Sequence, residues 1–375
     1  MRLEFYENLA NKGLKEDPLT TAEASFILDS KDVELLPLLQ SVFTVRKKYW
    51  DNRVTIHIIN NGQNGYCPED CHYCAQAKSS MADINEYPLK SDEEFLAEAK
   101  SAYEKGAHRY CMVFAGRGPS LRRTEHLAQL VRAIKSKYPI EVCISAGLLD
   151  EEKAKILKNA GLDRLNHNLN TSEKNYPNIC TTHTFADRIN TLEAARSQGI
   201  QLCSGAIIGM GESLEDILEV AFRLREMAVQ SIPINFLIPI KGNKLDKDPE
   251  LTPEFCLRVL CLFRFLNPKA EIRVAAGREF HLRSMEVMAL YPASSLFLQG
   301  YLNAKGQTNH KTLQMIKDAG FIVQCDKSTE ELLQNEEAEY PDNQINRKNE
   351  LKTKNLLELR PYQSFNTTNI KTCSR

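Results

Sequence analysis

Tyr66-Cys67-Pro68-Glu69-Asp70-Cys71-His72-Tyr73-Cys74-Ala75-Gln76 is the stretch on which the reading of this chain turns. Three cysteines fall within eight residues, spaced Cys-x3-Cys-x2-Cys. A segment that short can wrap three thiolates around one face of an inorganic cluster. Thiolates are soft ligands and suit zinc or iron–sulfur centres. A 4Fe-4S cluster normally takes four cysteines, one per iron. Three local cysteines without a fourth nearby leave one iron open, and an open position is what a metal site needs to bind and activate a small molecule. A structural zinc site usually pairs two Cys or Cys/His knuckles. No second knuckle follows, although His57 and His72 lie near. On spacing alone an iron–sulfur cluster, a zinc site and unligated cysteines all stay open.

Working outward, the stretch follows directly on a β-rich run, Val54 to Asn60. From there strand and helix patterns alternate. Strands are expected at Arg109 to Phe114, Ile140 to Ile144, Arg164 to Asn168, Gln201 to Ile208, Pro233 to Leu237, Ile272 to Ala275 and Ser295 to Leu298. Helical periodicity separates them, as at Thr124 to Lys137, Ser213 to Ala228 and Leu282 to Leu290. Alternation with short loops implies parallel strands covered by helices. Counted with the first run there are eight strands, which predicts a closed (β/α)8 TIM-type barrel over residues 51–325 rather than an open doubly wound sheet. Chemistry in such barrels sits at the C-terminal ends of the strands, and the Cys67 stretch is on that face.

The flanks differ from the barrel. Residues 1–50 read as a helical extension, with Thr20 or Thr21 as a cap. Residues 326–375 are rich in Glu, Asn, Lys, Gln and Thr, and read as a polar, flexible tail holding Cys373. Basic and acidic side chains number 48 and 49, for a net charge of −1, so bulk charge gives no reason to expect nucleic acid or an acidic membrane surface. The N-terminus carries acids and lacks the apolar core of a secretory signal. No run of about 18 apolar residues exists to span a membrane. A soluble, cytoplasmic protein is expected, and eleven cysteines in such a chain point to metal or catalysis before disulfides.

A second signal is polar and thiol residues inside the expected strands. Arg109 and Cys111 are two apart and share a face; Cys143, Cys203 and Arg273 lie on the third, fifth and seventh strands. A single strand cysteine is usually a small buried hydrophobe. An arginine directed into a barrel needs an anionic partner there. A third signal is Leu165-Asn-His-Asn-Leu-Asn-Thr-Ser172, a strand end releasing polar side chains into a loop, where either ligand contacts or local Asx turns are expected.

The pattern Cys-x3-Cys-x-aromatic-Cys, with Tyr73 as the aromatic, resembles the signature of the radical S-adenosylmethionine enzymes. The longer Cys-Pro-Glu-Asp-Cys-His-Tyr-Cys-Ala-Gln resembles the biotin synthase family, and the likeness runs from about Leu36 to Val323. The resemblance implies a 4Fe-4S cluster on Cys67, Cys71 and Cys74 whose open iron chelates S-adenosylmethionine, with Tyr73 near the adenine. It implies a 2Fe-2S cluster on Cys111, Cys143, Cys203 and Arg273, and radical sulfur insertion into dethiobiotin. It assigns Asn168 to both cofactor and substrate, Asn235 to dethiobiotin, and Asn170, Gly205 and Glu212 to S-adenosylmethionine. It further implies an electron donor of flavodoxin or ferredoxin type and a homodimer. Cys180, Cys256, Cys261 and Cys325 match no ligand position and read as structural. Asn170 stands where some members have Asp, Ala206 where glycine is common, and Ser294 where many have Asn. Two rivals remain: another radical S-adenosylmethionine enzyme, such as a hydrogenase-maturase relative, and a non-catalytic iron–sulfur or zinc protein.

Overall fold

The computed structural model describes residues 2–339 and the pair 354–355 of the 375. Ten strands build the central sheet among the described residues: β1 (Arg53–Gln63), β2 (Arg109–Phe114), β3 (Glu141–Ser145), β4 (Arg164–Asn166), β5 (Gln201–Cys203), β6 (Ala206–Ile208), β7 (Ser231–Phe236), β8 (Glu271–Val274) and β9 (Ser295–Phe297), with the short Ile322–Val323 added beside the start of β1. All pair in parallel, β5 and β6 share the place beside β7, and β9 pairs with β1. That closure makes the expected eight-membered barrel. Helices cross between strands on the outside, several of them started by capping boxes such as Ser91/Glu94, Thr184/Asp187 and Ser213/Asp216.

The strand expected over Gln201 to Ile208 is interrupted at Ser204-Gly205. The interruption has a partner: the Gly205 carbonyl accepts from the Asn170 N–H at 3.0 Å, and the Ile207 N–H donates to the Asn170 carbonyl at 2.8 Å. A polar loop is thereby stitched into the mouth of the barrel. Gly205 is required there, because a Cβ would lie 1.8 Å from the Pro233 carbonyl oxygen. The helix expected at Leu282 to Leu290 is instead a short α-turn, Arg278–Leu282, followed by a 3₁₀ segment, Arg283–Leu290. The two meet at Arg283, whose φ of 55° breaks the α-ladder.

The N-terminal extension forms three helices, Arg2–Lys15, Thr21–Asp29 and Leu35–Trp50, and Thr20 does cap the second. They pack against the barrel helix Pro253–Leu266, which is buried on every side from Cys256 onward. Arg46 pins this cover to the N-terminal end of the barrel, donating from Nε to the Ala293 carbonyl at 3.0 Å and from Nη2 to that of Arg53 at 2.8 Å. The opposite, C-terminal face is left for the site. The tail expected from residue 326 begins as a helix, Thr329–Glu339, with Leu332 and Leu333 buried. Lys354–Asn355 pairs with Ala304–Lys305; the remainder of the tail, with Cys373, lies outside the described residues. Among the described residues no helix is long and apolar enough to cross a membrane.

Candidate active site

Strand alternation sorts the barrel interior into layers. Side chains two residues apart on one strand share a face and lie about 6.6 Å apart along it. The uppermost layer, at the C-terminal ends, lines a cavity of about 260 Å³. Val113, Ser145 and Asn166 contribute from β2, β3 and β4, and Cys67, Cys71 and Cys74 line it from the loop after β1. Tyr73, Asn168, Asn170 and Asn235 also face this cavity. One layer down, Cys111 precedes Val113, and Cys143 precedes Ser145. These two and Cys203 form a separate buried cluster with Ala275 and Phe297, against which Tyr301 packs from the cavity. The Arg273 Nη1 donates toward the Cys203 sulfur at 3.7 Å. These eleven expected positions therefore fall into two stacked groups, seven at the cavity and four beneath it.

The cysteine loop is held by its neighbours. The Cys74 N–H donates to the Cys71 carbonyl at 3.1 Å and the His72 N–H to the Ile179 carbonyl at 2.9 Å. Asp70 accepts from the Thr181 and Thr182 N–H groups at 2.9 and 3.2 Å. Burial pushes the Asp70 carboxyl up, but these bonds and those from the Thr181 and Thr182 hydroxyls outweigh it and hold it below the usual range. Glu69 lies 2.5 Å from His183 Nδ1 and accepts from the Thr182 hydroxyl at 2.7 Å. Burial raises the thiols of Cys67 and Cys74, the latter to about 11. Cys71 is raised foremost by its contact with Cys180.

Cys180, which matches no ligand position in the sequence, lies beside the cysteine loop. Its sulfur is 3.8 Å from that of Cys71 and 3.3 Å from His183 Nδ1. Cys71, Cys180 and His183 form a group whose ligand atoms all lie within 4.8 Å of one another. Arg188 closes this side of the cavity: Nη1 donates to the Asn168 carbonyl at 2.7 Å and Nη2 lies 2.9 Å from His183 Nε2. None of Glu69, His183 and Arg188 was picked out in the sequence, where each is an ordinary polar residue with no spacing that marks it.

The asparagines are each anchored on one side. The Asn170 Nδ2 donates to the Tyr73 hydroxyl at 2.7 Å. Asn168 Oδ1 accepts from the Gly205 N–H at 3.1 Å, and Asn235 bonds to the backbone of Ala206 and Ala276 at 3.1 and 3.2 Å. Two expected cofactor contacts fall elsewhere. Gly205 does not line the cavity but sets the spacing behind it. Glu212 turns away into its own loop, accepting from the Gly209 and Met210 N–H groups at 2.6 and 2.7 Å beside a different cavity.

Beneath the strand thiols lies a charged layer, where barrels usually carry branched apolar side chains. Arg109 donates to Glu271 Oε2 at 3.0 Å and to Glu141 Oε2 at 2.8 Å, so these carboxylates are the anionic partners its burial demanded. Hydrogen bonding from Cys143 favours thiolates at Cys111 and Cys203; burial opposes this, and the charges of Arg273 and Arg109 add to it. The donor set fits a cluster. Three soft thiols converge, and Arg273 Nε is a buried donor atom with no hydrogen-bond partner.

Comparison with known proteins agrees. The radical SAM superfamily model matches residues 64–224, and the Biotin and Thiamin Synthesis associated domain matches residues 233–322. Biotin synthase of Acaryochloris marina is 56% identical over 310 residues, covering 83% of this chain and 90% of that one. Biotin synthase of Magnetococcus marinus is 56% identical over 298 residues, 80% and 93% of the two chains. That of Leptospira interrogans is 50% identical over 314 residues, 84% and 90%. Among solved structures, methylornithine synthase superposes with a TM-score of 0.72 at 20% identity, covering 84% of this chain and 96% of that one. The FeFe-hydrogenase maturase of Carboxydothermus hydrogenoformans gives 0.72 at 19%, covering 87% and 81%. At those identities the two share the barrel and nothing finer. With more than half of its residues identical to those of curated biotin synthases over four-fifths of its length, on a closed barrel of the radical S-adenosylmethionine type, the chain belongs to the biotin synthase family.

Proposed function

We propose that the two stacked groups are the two cofactor sites of a biotin synthase, which converts dethiobiotin to biotin by inserting one sulfur between two unactivated carbons. In this reading Cys67, Cys71 and Cys74 hold a 4Fe-4S cluster that binds S-adenosylmethionine. Cys111, Cys143, Cys203 and Arg273 hold a 2Fe-2S cluster. The observation that supports the reading is the layering: one cavity is walled by three loop thiols and floored by Val113 and Ser145, directly above Cys111 and Cys143 of the strand-thiol cluster. A substrate in that cavity has a radical source on one side and a sulfur source on the other. With both clusters and S-adenosylmethionine bound, the enzyme has at hand 5′-deoxyadenosyl radicals for hydrogen abstraction and sulfide for the new ring, chemistry no side chain provides.

The residues bind, orient and exclude water. Asn168 and Asn235 offer amide donors and acceptors that match the ureido group of dethiobiotin. Val113, Ile207 and Leu237 give the cavity an apolar wall for the carbons that react and keep water from the radical. Asn170 and Tyr73, already bonded to each other, present a donor–acceptor pair to the nucleoside of S-adenosylmethionine. Arg188 and Arg117 bring positive charge to the same wall for its carboxylate. The reducing electron comes from neither substrate, so an external donor of flavodoxin or ferredoxin type belongs to the reading, as does the homodimer that the family resemblance implies.

The test is turnover of anaerobically reconstituted protein with S-adenosylmethionine, dethiobiotin and a chemical reductant. Biotin and 5′-deoxyadenosine are expected together. Deoxyadenosine without biotin would move the chain to another radical enzyme, and neither product would remove the enzymatic reading.

A further inference from the structure

We propose that Glu271 is the positioning residue of Arg273: it holds one end of the guanidinium down in the charged layer so that the other end faces the three strand thiols. The inference rests on the reading of Cys111, Cys143, Cys203 and Arg273 as a cluster site.

Glu271 and Arg273 are two apart on β8, so both point into the barrel with Glu271 one layer below. Glu271 is 1% exposed. A carboxylate buried so deeply is sustained only by charge and hydrogen-bond partners, and this one has them on all sides. Oε1 accepts from the hydroxyls of Ser231 and Ser295 at 3.1 Å each and lies 3.0 Å from His57 Nε2. Oε2 accepts from Arg109 at 3.0 Å. The remaining partner is Arg273 Nη2, which donates to Glu271 Oε1 and, at 2.9 Å, to the Ser231 hydroxyl.

The consequence is an asymmetry within one guanidinium. Nη2 is engaged below by an anion and a hydroxyl, with His57 Nε2 also 3.4 Å away. Among the described residues Nη1 has only the Cys203 sulfur, at 3.7 Å, and Nε has no hydrogen-bond partner. A planar fork fixed at one corner cannot turn about its axis, so the nitrogen offered to the thiols is decided by Glu271. Neutralising Arg109 is the competing account of the same carboxylate, but Arg109 has a second carboxylate in Glu141, which it meets through Nε and Nη2 at 2.9 and 2.8 Å. Among the described residues Arg273 meets no acid but Glu271.

The two accounts separate in a set of variants. Arg109→Met removes the cation that Glu271 also serves and leaves the Arg273 anchor in place. Arg109→Met/Glu271→Met removes the anchor as well, without stranding Arg109. Arg273→Ala supplies the signature of a cluster lacking the guanidinium. Each is reconstituted anaerobically, and the auxiliary cluster is followed by iron content, absorption and Mössbauer spectra, with thermal melting of the cluster-free proteins alongside. Arg109→Met is expected to keep the wild-type spectrum. The double variant is expected to melt with Arg109→Met yet shift its auxiliary-cluster spectrum toward that of Arg273→Ala. A double-variant spectrum identical to that of Arg109→Met overturns the inference and leaves the two-cluster reading standing. A wild type that never holds a second cluster removes both. If the double variant does not fold, Glu271→Gln, of equal volume but with an amide facing donors, carries the same expected shift, and an unshifted spectrum there overturns the inference equally.

Discussion

Asn170 has a φ of 71°, in the left-handed region where asparagine is tolerated and branched residues are not. Its backbone fills the break between β5 and β6 while its side chain meets Tyr73. The departure from the Asp of some family members is therefore conservative in both respects: either residue accepts this backbone, and either can bond to a phenol. Asn170→Asp is expected to melt like wild type and to bind S-adenosylmethionine, whereas Asn170→Val is expected to lose about 1–2 kcal/mol of stability and to bind it more weakly, as read by denaturant unfolding and equilibrium binding. Gly205 belongs to the same joint. Gly205→Ala sets a methyl against the Pro233 carbonyl and is expected to cost about 1–3 kcal/mol as overpacking does; an unchanged melt would contradict the close approach. The family resemblance led to Asn168, Asn170 and Asn235, and the structure brings them to one cavity with Cys67, Cys71 and Cys74. Spacing could not lead to Cys180, whose contact with Cys71 spans 109 residues of chain, and at Gly205 the structure adds a packing reason that the sequence does not display.

At the level of elements, periodicity carried the barrel strands and failed where local geometry overrides it. The apolar run from Gln201 to Ile208 reads as one strand because a break made by inserting a distant loop leaves no mark in composition. The polar tail concealed a helix because two leucines, Leu332 and Leu333, suffice to seat it. Capping was legible: Thr20 and Glu23 form a reciprocal box, and Glu23 also meets Lys12 at 2.6 Å. Burial pushes the Glu23 carboxyl up, but Lys12 and Thr20 outweigh it and leave it lowered from its usual 4.5. A carboxyl lowered by folding adds stability above its unfolded value and loses it as pH falls through the folded one. Glu23→Gln is accordingly expected to cost about 1 kcal/mol near neutrality, with the gap to wild type closing as pH drops below the ordinary carboxylate range. Melts of both proteins across that range check it, and a gap that persists in acid would refute the ionic share.

For the molecule as a whole, the arrangement is one barrel with three interior strata: a cavity of mixed polar and apolar lining at the C-terminal mouth, a shelf of thiols, and a floor of Arg109, Glu141 and Glu271 with His57 beside them, above the N-terminal helical cover. The i, i+2 relation of Arg109 and Cys111 already pointed to the lower two strata. The same relation applied to Glu271 and Arg273 would have supplied the acid of the floor, but a lone glutamate at a strand start reads as an exposed end. The account stands or falls on the two groups of thiols holding two separate clusters. The direct measurement is iron and acid-labile sulfide per chain after anaerobic reconstitution, for wild type and Cys143→Ala. About six irons in wild type and about four in the variant, with the loop cluster's signature intact, is the expected result. About four irons in both would show the strand thiols to be core packing and contradict it.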